Sequence, residues 1–241
     1  MNPRQLAVRL LQATRLNRLA HRLYYNHVHG FDSASRSTVE AIQKSFDLAQ
    51  QQGSLDGGDY YEFGLFKGYS FWSAQQKANA CGAQSMHFFG FDSFEGLPEV
   101  TGRDKTERDH FYKGQYHCSY ETVRGSLDDA GVDWSRTTLI RGYFNESLED
   151  ELHREHGMRP ISIALIDCDL YSSTVDVLRF IDPLIQDQSI LIFDDWNCFD
   201  GDNEKGQRRA FAEIIERRVD PRAEPLFEYG IWGKVFRIHR P

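Results

Sequence analysis

From Tyr60 onward, short apolar segments alternate with longer amphipathic ones, and this alternation constrains the fold more than any other feature of the chain. Short apolar runs that are bounded by turn residues predict buried strands, whereas the longer segments carry the spacing of helices. The predicted strands are Tyr60–Phe63, His87–Phe91, Thr137–Arg141, Ile161–Ile166 and Ile190–Phe193. Strands that alternate with helices pair in parallel, because each crossover needs a long connection. We therefore predict an α/β domain with a doubly wound, mostly parallel sheet.

Helical patterns fill the connections between these strands. They cover Ser70–Ala80, Ser119–Ala130, Glu146–His156, Ser173–Leu184 and Gln207–Arg218. The end of the chain instead carries two strand-like segments, Leu226–Tyr229 and Lys234–Ile238, which a short glycine-containing link joins. Such a link between two strands predicts a hairpin. The complete sheet should therefore have seven strands and end in an antiparallel hairpin.

Two further helices are predicted ahead of the sheet, and we take residues 1–57 as an N-terminal helical extension of a domain at 58–241. The first helix, Pro3–His27, places leucines on one face and arginines on another. Its apolar face is expected to pack on the core or on a second copy of the chain, which would give a homo-oligomer; binding to a membrane surface or to an anionic partner is the alternative. The second helix, Thr38–Gln52, ends where glycines break the pattern.

Composition excludes several classes of protein. The 241-residue chain has a formal charge of −8 at pH 7, which argues against nucleic acid as the main partner, because binding to a phosphate backbone needs clustered Lys and Arg. The four cysteines form no C-x-x-C pair and the start of the chain has no signal-peptide pattern. No apolar run approaches the ~20 residues of a membrane span. We expect a cytoplasmic protein.

A loop with two glycines follows the first predicted strand. Gly64 and Gly68 lie between that strand and the next helix, where glycine allows backbone to approach a ligand closely. The G-x-x-x-G spacing differs from the dinucleotide fingerprint G-x-G-x-x-G, and the Gly-Lys-Ser/Thr of a phosphate loop is missing. Glu62, directly before the loop, favours a ligand with a positive charge, such as the amino group of a methionine moiety.

An acidic residue ends the second predicted strand. Asp92 follows the apolar run His87–Phe91. A carboxylate at this place can accept both ribose hydroxyls of an adenosine. The alternative is an aspartate that caps a turn.

The fourth and fifth predicted strands each end in two acids. Asp167 and Asp169 follow the fourth strand, and Asp194 and Asp195 follow the fifth. If these strands are neighbours, four carboxylates meet at one edge of the sheet and repel each other unless a cation or protons neutralise them. Carboxylate oxygens suit Mg²⁺, so we expect a magnesium site. The alternative is that each acid caps the following helix.

The segment 98–118 is polar, has little periodicity and is long for a connection inside a compact domain. Such an insertion is often a lid or an acceptor-binding loop, and a solvated connection fits the pattern equally well. It contains His110 and His117, which are candidates for proton transfer.

Several of these motifs resemble those of known methyltransferases. The loop Glu62–Ser70 resembles the S-adenosylmethionine (SAM) loop of catechol O-methyltransferase and its relatives. The strings Phe91–Pro98, Asp167–Thr174 and Asp194-Asp195 resemble the macrocin O-methyltransferase family, which methylates sugar hydroxyls on macrolide antibiotics. The resemblance runs from about Asp59 to Arg218. It implies a class I methyltransferase with a Rossmann-like fold that uses SAM and Mg²⁺.

The same resemblance implies roles for individual residues. Asp167, Asp194 and Asp195 would bind Mg²⁺. The residues that would hold SAM are Glu62, Gly64, Gly68, Tyr69, Ser70, Asp92, Ser93, Phe144 and Asn145. Relatives place a base two or three residues after the first metal ligand, which points to Asp169, because Leu170 cannot take a proton. His110 and His117 are the reserve candidates.

We therefore predict a Mg-dependent, SAM-dependent O-methyltransferase of natural-product biosynthesis, acting on a hydroxyl of a small molecule such as a sugar or a natural-product glycoside. One alternative is a non-catalytic module that binds SAM or a metal. The acid pairs argue against it, since SAM binding alone needs no such cluster. The other alternative is an NAD-type oxidoreductase, which the glycine spacing disfavours.

Overall fold

Seven strands form one sheet in the computed structural model of the chain, in the order β3-β2-β1-β4-β5-β7-β6. The structure describes residues 30–105, 111–217 and 220–240. The strands are β1 Asp59–Phe63, β2 Phe88–Asp92, β3 Thr137–Arg141, β4 Ile161–Ile166, β5 Ile190–Phe193, β6 Arg222–Tyr229 and β7 Gly233–His239. Strands β1 to β5 pair in parallel, and β7 pairs antiparallel with both β5 and β6. The predicted sheet and its C-terminal hairpin are confirmed.

The helices lie between the strands and ahead of the first one. They are α1 Arg36–Gln51, α2 Tyr69–Ala80, α3 Tyr120–Asp129, α4 Phe144–Ser147, α5 Glu151–Glu155, α6 Tyr171–Ile181 and α7 Gly206–Phe211. A π-helical turn, Ala212–Glu216, continues α7. Over the residues that the structure describes, no helix combines the length and the apolar character needed to cross a bilayer. The helix predicted at Pro3–His27 lies outside these residues.

The single helix predicted at Glu146–His156 is wrong. The chain forms two short helices there, α4 and α5, and Leu148 between them has φ −89° and ψ 77°, outside the helical region. Leu148 and Leu152 both pack against the hydrophobic core. Tertiary packing therefore overrides the helical pattern of this segment.

Helices cover both faces of the sheet, so the inner strands are buried on two sides. One hydrophobic cluster joins one face to α6 and α7, and includes Leu178 and Phe211. The other cluster joins the opposite face to α1, α2 and α3, and includes Phe46, Phe71 and Leu127. Full burial of one such side chain contributes roughly 1.5–3 kcal/mol. Although the sequence placed α1 in the N-terminal extension, this helix packs into the same core as the sheet.

The strand order reverses between β1 and β4. Strands β2 and β3 lie on one side of β1, whereas β5 and the hairpin lie beyond β4. Doubly wound folds bind ligands at this switch point, beyond the carboxyl ends of the strands. The Asp167 backbone N–H donates to the Phe63 carbonyl at 2.9 Å, so the segments that leave β1 and β4 begin in contact. This contact sets the position of the candidate site.

Candidate active site

A cavity of about 970 Å³ opens at the carboxyl ends of β1 to β5. Residues that follow each of these strands line it, together with the start of α1 and parts of the segment 98–118. Nine residues with carboxyl groups line the cavity: Asp92, Glu99, Glu146, Asp167, Asp169, Asp176, Asp194, Asp195 and Asp200. Lys113 is the single lysine among the lining residues, which include no arginine in the described part of the chain. The wall is therefore strongly acidic.

The glycine loop forms one side of the cavity. Gly64 has φ +95°, and a Cβ built there would lie 1.8 Å from the Asp167 carbonyl oxygen. No side chain fits at this position, because the turn packs directly on the backbone that leaves β4. Gly68 has φ +85° and precedes α2. It lies behind the cavity wall, whereas Tyr69 and Ser70 line the cavity with Gly64.

Glu62 lies beneath the loop, fully buried, and is not among the lining residues. One of its carboxylate oxygens accepts a hydrogen bond from the Ser70 hydroxyl and the other accepts one from the Tyr60 hydroxyl, both at 2.6 Å. Burial raises the pKa of Glu62 to about 8, although these two donors oppose the shift. The geometry shows Glu62 positioning Ser70, and a direct contact of Glu62 with a ligand stays a prediction.

Asp92 connects the glycine loop to the loop after β2. One carboxylate oxygen accepts the backbone N–H groups of Leu65 and Phe66, at 2.7 and 3.1 Å. The other oxygen accepts the Phe94 N–H at 2.6 Å. Burial raises the pKa of Asp92, and these backbone donors lower it. Asp92 thus caps two loops and also lines the cavity beside Ser93, and contact with a ribose stays a prediction.

The residues after β3 face this region of the cavity from another side. Gly142, Tyr143, Phe144 and Asn145 all line the cavity. Phe144 begins α4 and packs edge-on against Phe63 of β1, with 6.0 Å between the ring centroids. The predicted SAM residues Phe144 and Asn145 therefore share one cavity with those of the glycine loop.

The two acid pairs meet at the same edge of the sheet. Strands β4 and β5 are parallel neighbours with Ile166 opposite Phe193, which confirms the predicted adjacency. Carboxylate oxygens of Asp167, Asp194 and Asp195 lie within 4.8 Å of one another. Three hard oxygen donors at this spacing match the ligand preference of Mg²⁺. The donor set therefore fits a divalent cation.

The electrostatics of this cluster support the same conclusion. Burial is the largest cause that raises the pKa values of Asp167, Asp169, Asp194 and Asp195, and neighbouring carboxylates add to the shift in Asp167, Asp169 and Asp195. The pKa of Asp195 rises to about 7. Close like charges without a counter-charge hold protons tightly, and a bound cation would relieve that repulsion.

Asp169 lies beside the cluster on the cavity wall. Its backbone N–H donates to Asp195 at 2.8 Å. Its φ of 56° is uncommon for a residue with a side chain. The hydrogen bond to a proposed metal ligand holds the turn that places Asp169 in the cavity.

Sequence reasoning missed three side chains that hold the cluster. The hydroxyls of Thr38, at the start of α1, and Tyr229, at the end of β6, both donate to Asp194 Oδ1 at 2.8 Å. The Cys198 thiol donates to Asp195 Oδ1 at 3.2 Å. Thr38 precedes Asp194 by 156 residues, and no local pattern signals such a contact.

The segment 98–118 packs on the start of α6. Asp104 is buried and accepts the backbone N–H of Tyr171 at 2.6 Å, so an aspartate of the insertion caps this helix. Arg103 donates to the Tyr171 hydroxyl at 2.9 Å, and this hydroxyl donates to Glu213 at 2.6 Å. His117 is exposed and is not among the lining residues, and His110 lies outside the described part of the chain. Of the candidate bases with a described position, only Asp169 lines the cavity.

Helices on both faces of a sheet with this order, and a cavity at its switch point, define a class I methyltransferase fold. Residues 34–219 match the family described as Macrocin-O-methyltransferase (TylF), and the chain belongs to this family of O-methyltransferases. The resemblance seen in the sequence motifs is thereby confirmed.

Individual relatives agree with this assignment. The chain is 27% identical over 143 residues to the 8-demethyl-8-(2,3-dimethoxy-alpha-L-rhamnosyl)-tetracenomycin-C 4'-O-methyltransferase of Streptomyces olivaceus; the match covers 58% of this chain and 53% of the relative. It thus spans about half the length of that curated relative.

Solved structures share the fold. The O-methyltransferase NovP has a TM-score of 0.64 at 18% identity, over 84% of this chain and 79% of that chain. The calicheamicin methyltransferase CalS11 has a TM-score of 0.62 at 21% identity, over 98% of this chain and 93% of that chain. At these identities the likeness shows the fold alone.

Proposed function

We propose that this chain transfers the methyl group of SAM to a sugar hydroxyl of a glycosylated natural product, and that this reaction depends on Mg²⁺. One observation carries the proposal: the carboxylates of Asp167, Asp194 and Asp195 converge within 4.8 Å on the wall of the cavity that the glycine loop also lines. A donor site and a cation site in one cavity suit metal-assisted methyl transfer. A non-catalytic SAM module would not need the second site.

The choice of acceptor rests on the relatives. The tetracenomycin enzyme is named for methylation of a rhamnosyl group, and the family is named for a macrolide methyltransferase. The match spans about half of that relative. Its substrate therefore supports a class of acceptor, a sugar hydroxyl, rather than a particular compound.

The donor would lie between the glycine loop and the segment after β3. Gly64, Tyr69, Ser70, Asp92 and Ser93 form one side of this region. Gly64 lets the loop pack directly on the backbone that leaves β4, and the Asp92 carboxylate holds the loop in place through the Leu65 and Phe66 N–H groups. Phe144 and Asn145 would border the adenine. Glu62 and Gly68 would act from behind the wall, by orienting Ser70 and by starting α2.

Asp167, Asp194 and Asp195 would hold the cation. When bound, Mg²⁺ would lower the pKa of the acceptor hydroxyl and fix its orientation. Thr38 and Tyr229 both donate to one oxygen of Asp194. These two hydrogen bonds would orient the carboxylate, and its other oxygen would bind the cation. Such supporting donors fix the geometry of a metal ligand.

Asp169 would accept the proton of the acceptor hydroxyl. It lines the cavity next to the acid cluster, and a cation bound in the cluster would favour its ionised form, which can take a proton. The sulfonium of SAM is already activated, so the chain mainly supplies position and electrostatic complementarity.

The test is a donor-turnover assay with a panel of glycosides, run with Mg²⁺ and with excess EDTA. Asp167→Asn and Asp195→Asn should each lower turnover at least about 100-fold, since a Lewis acid contributes several kcal/mol to the transition state. Calorimetric SAM affinity should stay within about threefold of wild type, since the donor lies against other residues. Asp176→Asn is the matched control, because Asp176 lines the same cavity outside the cluster.

Full activity in excess EDTA would refute the metal requirement. Tight binding of NAD in place of SAM would refute the donor. The boundary at residue 58, the acceptor-facing role of 98–118, the cytoplasmic location and self-association through the N-terminal helices stay predictions.

A further inference from the structure

A buried glutamine lies directly behind the acid cluster. Gln207, in the first turn of α7, is fully buried and is not among the residues that line the cavity. Its side-chain carbonyl accepts the backbone N–H of Asp195 at 3.0 Å, and its side-chain NH₂ group donates to the backbone carbonyl of Ile166 at 2.9 Å. Ile166 directly precedes Asp167. One amide therefore joins the two chain segments that carry the acids of the cluster.

This amide continues the pairing of β4 and β5 beyond the strands themselves. Just past β5, the Asp194 N–H donates to the Ile166 carbonyl at 3.2 Å. The Gln207 amide adds the next link, from the Ile166 carbonyl to the Asp195 N–H. Only one orientation of the amide satisfies both contacts, because its NH₂ group faces a carbonyl and its oxygen faces an N–H. Gln207 thus fixes the separation between the ends of the two strands.

The helix that carries this glutamine is anchored on the segment that follows β5. Gly206 has φ +53°, and a Cβ there would lie 2.4 Å from the Phe199 ring, so glycine lets α7 begin close against this segment. Arg208, the residue after the glutamine, donates to the Trp196 carbonyl at 3.1 Å. The start of α7 and the chain next to Asp195 are therefore held together at several points.

We infer that Gln207 is a positioning residue of the cation site, and that the fixed spacing it imposes selects a small divalent ion over a larger one. This inference rests on the proposed function, because it concerns the same site. The hydroxyls of Thr38 and Tyr229 orient one carboxylate, whereas Gln207 sets the distance between the strand ends that carry different ligands. Mg²⁺ requires near-octahedral ligands at about 2.1 Å, whereas Ca²⁺ accepts varied geometries at about 2.3–2.6 Å. Ligands that cannot move apart therefore penalise the larger ion.

The test measures Mn²⁺ binding by electron paramagnetic resonance, with Mg²⁺ and Ca²⁺ as competitors and S-adenosylhomocysteine present. Gln207→Met keeps the length of the side chain and removes both hydrogen bonds. Mn²⁺ and Mg²⁺ affinities should each fall about tenfold or more, as is typical when a group that supports a metal ligand is lost. Ca²⁺ affinity should change less than about threefold, so the preference for Mn²⁺ over Ca²⁺ should shrink by at least about threefold. Unchanged affinity for S-adenosylhomocysteine shows that the variant is folded.

Gln75→Met is the matched control. Gln75 in α2 is also fully buried, and its amide accepts the Asp133 N–H at 2.7 Å and donates to the Thr137 hydroxyl at 2.9 Å. Thr137 begins β3, so this amide lies at the opposite edge of the sheet from the acid cluster. Gln75→Met should lose thermal stability as Gln207→Met does, and should keep both the Mn²⁺ affinity and the preference over Ca²⁺. Equal losses of Mn²⁺ affinity in the two variants would overturn the inference.

Unchanged Mn²⁺ affinity in Gln207→Met, or equal losses of Mn²⁺ and Ca²⁺ affinity, would also overturn it. Two measurements need the wild type alone. The Asp195 amide should resist hydrogen exchange in the metal-free protein, and Mn²⁺ should bind at least about tenfold more tightly than Ca²⁺; rapid exchange or equal affinity for the two ions would contradict a rigid site. Failure of the proposed function looks different, because the wild type would then bind neither ion, and the inference would fall with it.

Discussion

The two halves of the cavity satisfy their carboxylates in different ways. At the β1 and β2 end, Asp92 on the wall and Glu62 behind it each accept hydrogen bonds at both carboxylate oxygens, from backbone and hydroxyl donors respectively. At the β4 and β5 end, no donor among the described residues reaches the carboxylates of Asp167 or Asp169, and their pKa values are raised by burial and then by neighbouring acids. The first half is complete without a ligand, whereas the proposed cation would supply the counter-charge that the second half lacks.

This difference suits one cavity that would hold both a methyl donor and a cation. Fixed hydrogen bonds preorganise the loops that would hold a donor. Unpaired carboxylates that are partly buried are costly, and a bound cation would explain why Asp167 and Asp169 are retained. The two halves meet where Gly64 packs on the backbone of Asp167.

The largest effect is expected from a substitution at Gly64, where the two halves meet. Gly64→Ala would place a methyl group 1.8 Å from the Asp167 carbonyl oxygen at φ +95°, and should destabilise the protein by more than about 3 kcal/mol, from strain and overpacking together. Both SAM and metal affinity should fall. Gly82→Ala is the matched control, since Gly82 has φ +78° and open space around its Cβ position; it should cost about 1 kcal/mol and leave both affinities intact. Thermal unfolding measures the stability of both variants, and calorimetry measures their SAM and metal affinities.

The next largest effect, from substitution of Asp92, should separate donor binding from metal binding. Asp92→Ala removes three backbone hydrogen bonds to a carboxylate and should weaken SAM binding about 10–100-fold, since hydrogen bonds to a charged group are worth roughly 1.5–3 kcal/mol. Mn²⁺ affinity should change by less than about threefold. Asp133→Ala, at another aspartate that caps a backbone N–H but does not line the cavity, should change neither. Equal losses of donor and metal binding in Asp92→Ala would contradict the division of the cavity.

A smaller effect is expected from the hydroxyls that hold Asp194. Thr38→Val and Tyr229→Phe should each weaken Mn²⁺ binding about threefold to tenfold, and together about 10–100-fold, because they remove the two donors that orient one ligand oxygen. SAM affinity should not change. Tyr61→Phe removes a hydroxyl that binds the Arg159 carbonyl away from the cavity and serves as the control. Unchanged Mn²⁺ affinity in the double variant would mean that these hydroxyls only stabilise the fold.

The last effect is on stability rather than on binding, and it concerns Glu62 in the metal-free protein. Its pKa rises from 4.5 in the unfolded chain to about 8 in the folded one, so the folded state keeps a proton that the unfolded state has lost, and stability falls as pH rises through this window. Glu62→Gln cannot ionise, and its Tm relative to wild type should rise by roughly 7–14 °C between about pH 5 and pH 8, since a pKa shift of this size changes stability by about 3.5 kcal/mol over that interval. Thermal scans of both proteins at the two pH values measure this difference in Tm. A constant difference would mean that Glu62 is charged at both.

Much of the fold follows from local patterns. The bounds of β3, β4 and β5 agree with those predicted at Thr137–Arg141, Ile161–Ile166 and Ile190–Phe193, because apolar runs bounded by turn residues leave little choice of register. The convergence of the acids also follows, since parallel neighbours bring their carboxyl ends to one edge. The helix predicted at Glu146–His156 failed because packing of Leu148 on the core broke it.

Contacts between distant residues could not be predicted in this way. All five residues of β1 are buried, so alternation could not show that Glu62 lies beneath the glycine loop and does not line the cavity. Capping of α6 by Asp104, from an insertion 67 residues earlier, depends on how the segment 98–118 packs. The same holds for Thr38, whose role depends on the placement of α1 over the sheet.

Manganese binding, followed by electron paramagnetic resonance, tests the central claim most directly, because it reports occupancy of the acid cluster without any turnover. With S-adenosylhomocysteine present, the wild-type chain should bind a single Mn²⁺ ion that Mg²⁺ displaces. Asp167→Asn and Asp195→Asn should abolish this binding, and Asp176→Asn should preserve it. Absence of binding to the wild type, or equal binding to Asp167→Asn, would contradict a cation site between β4 and β5.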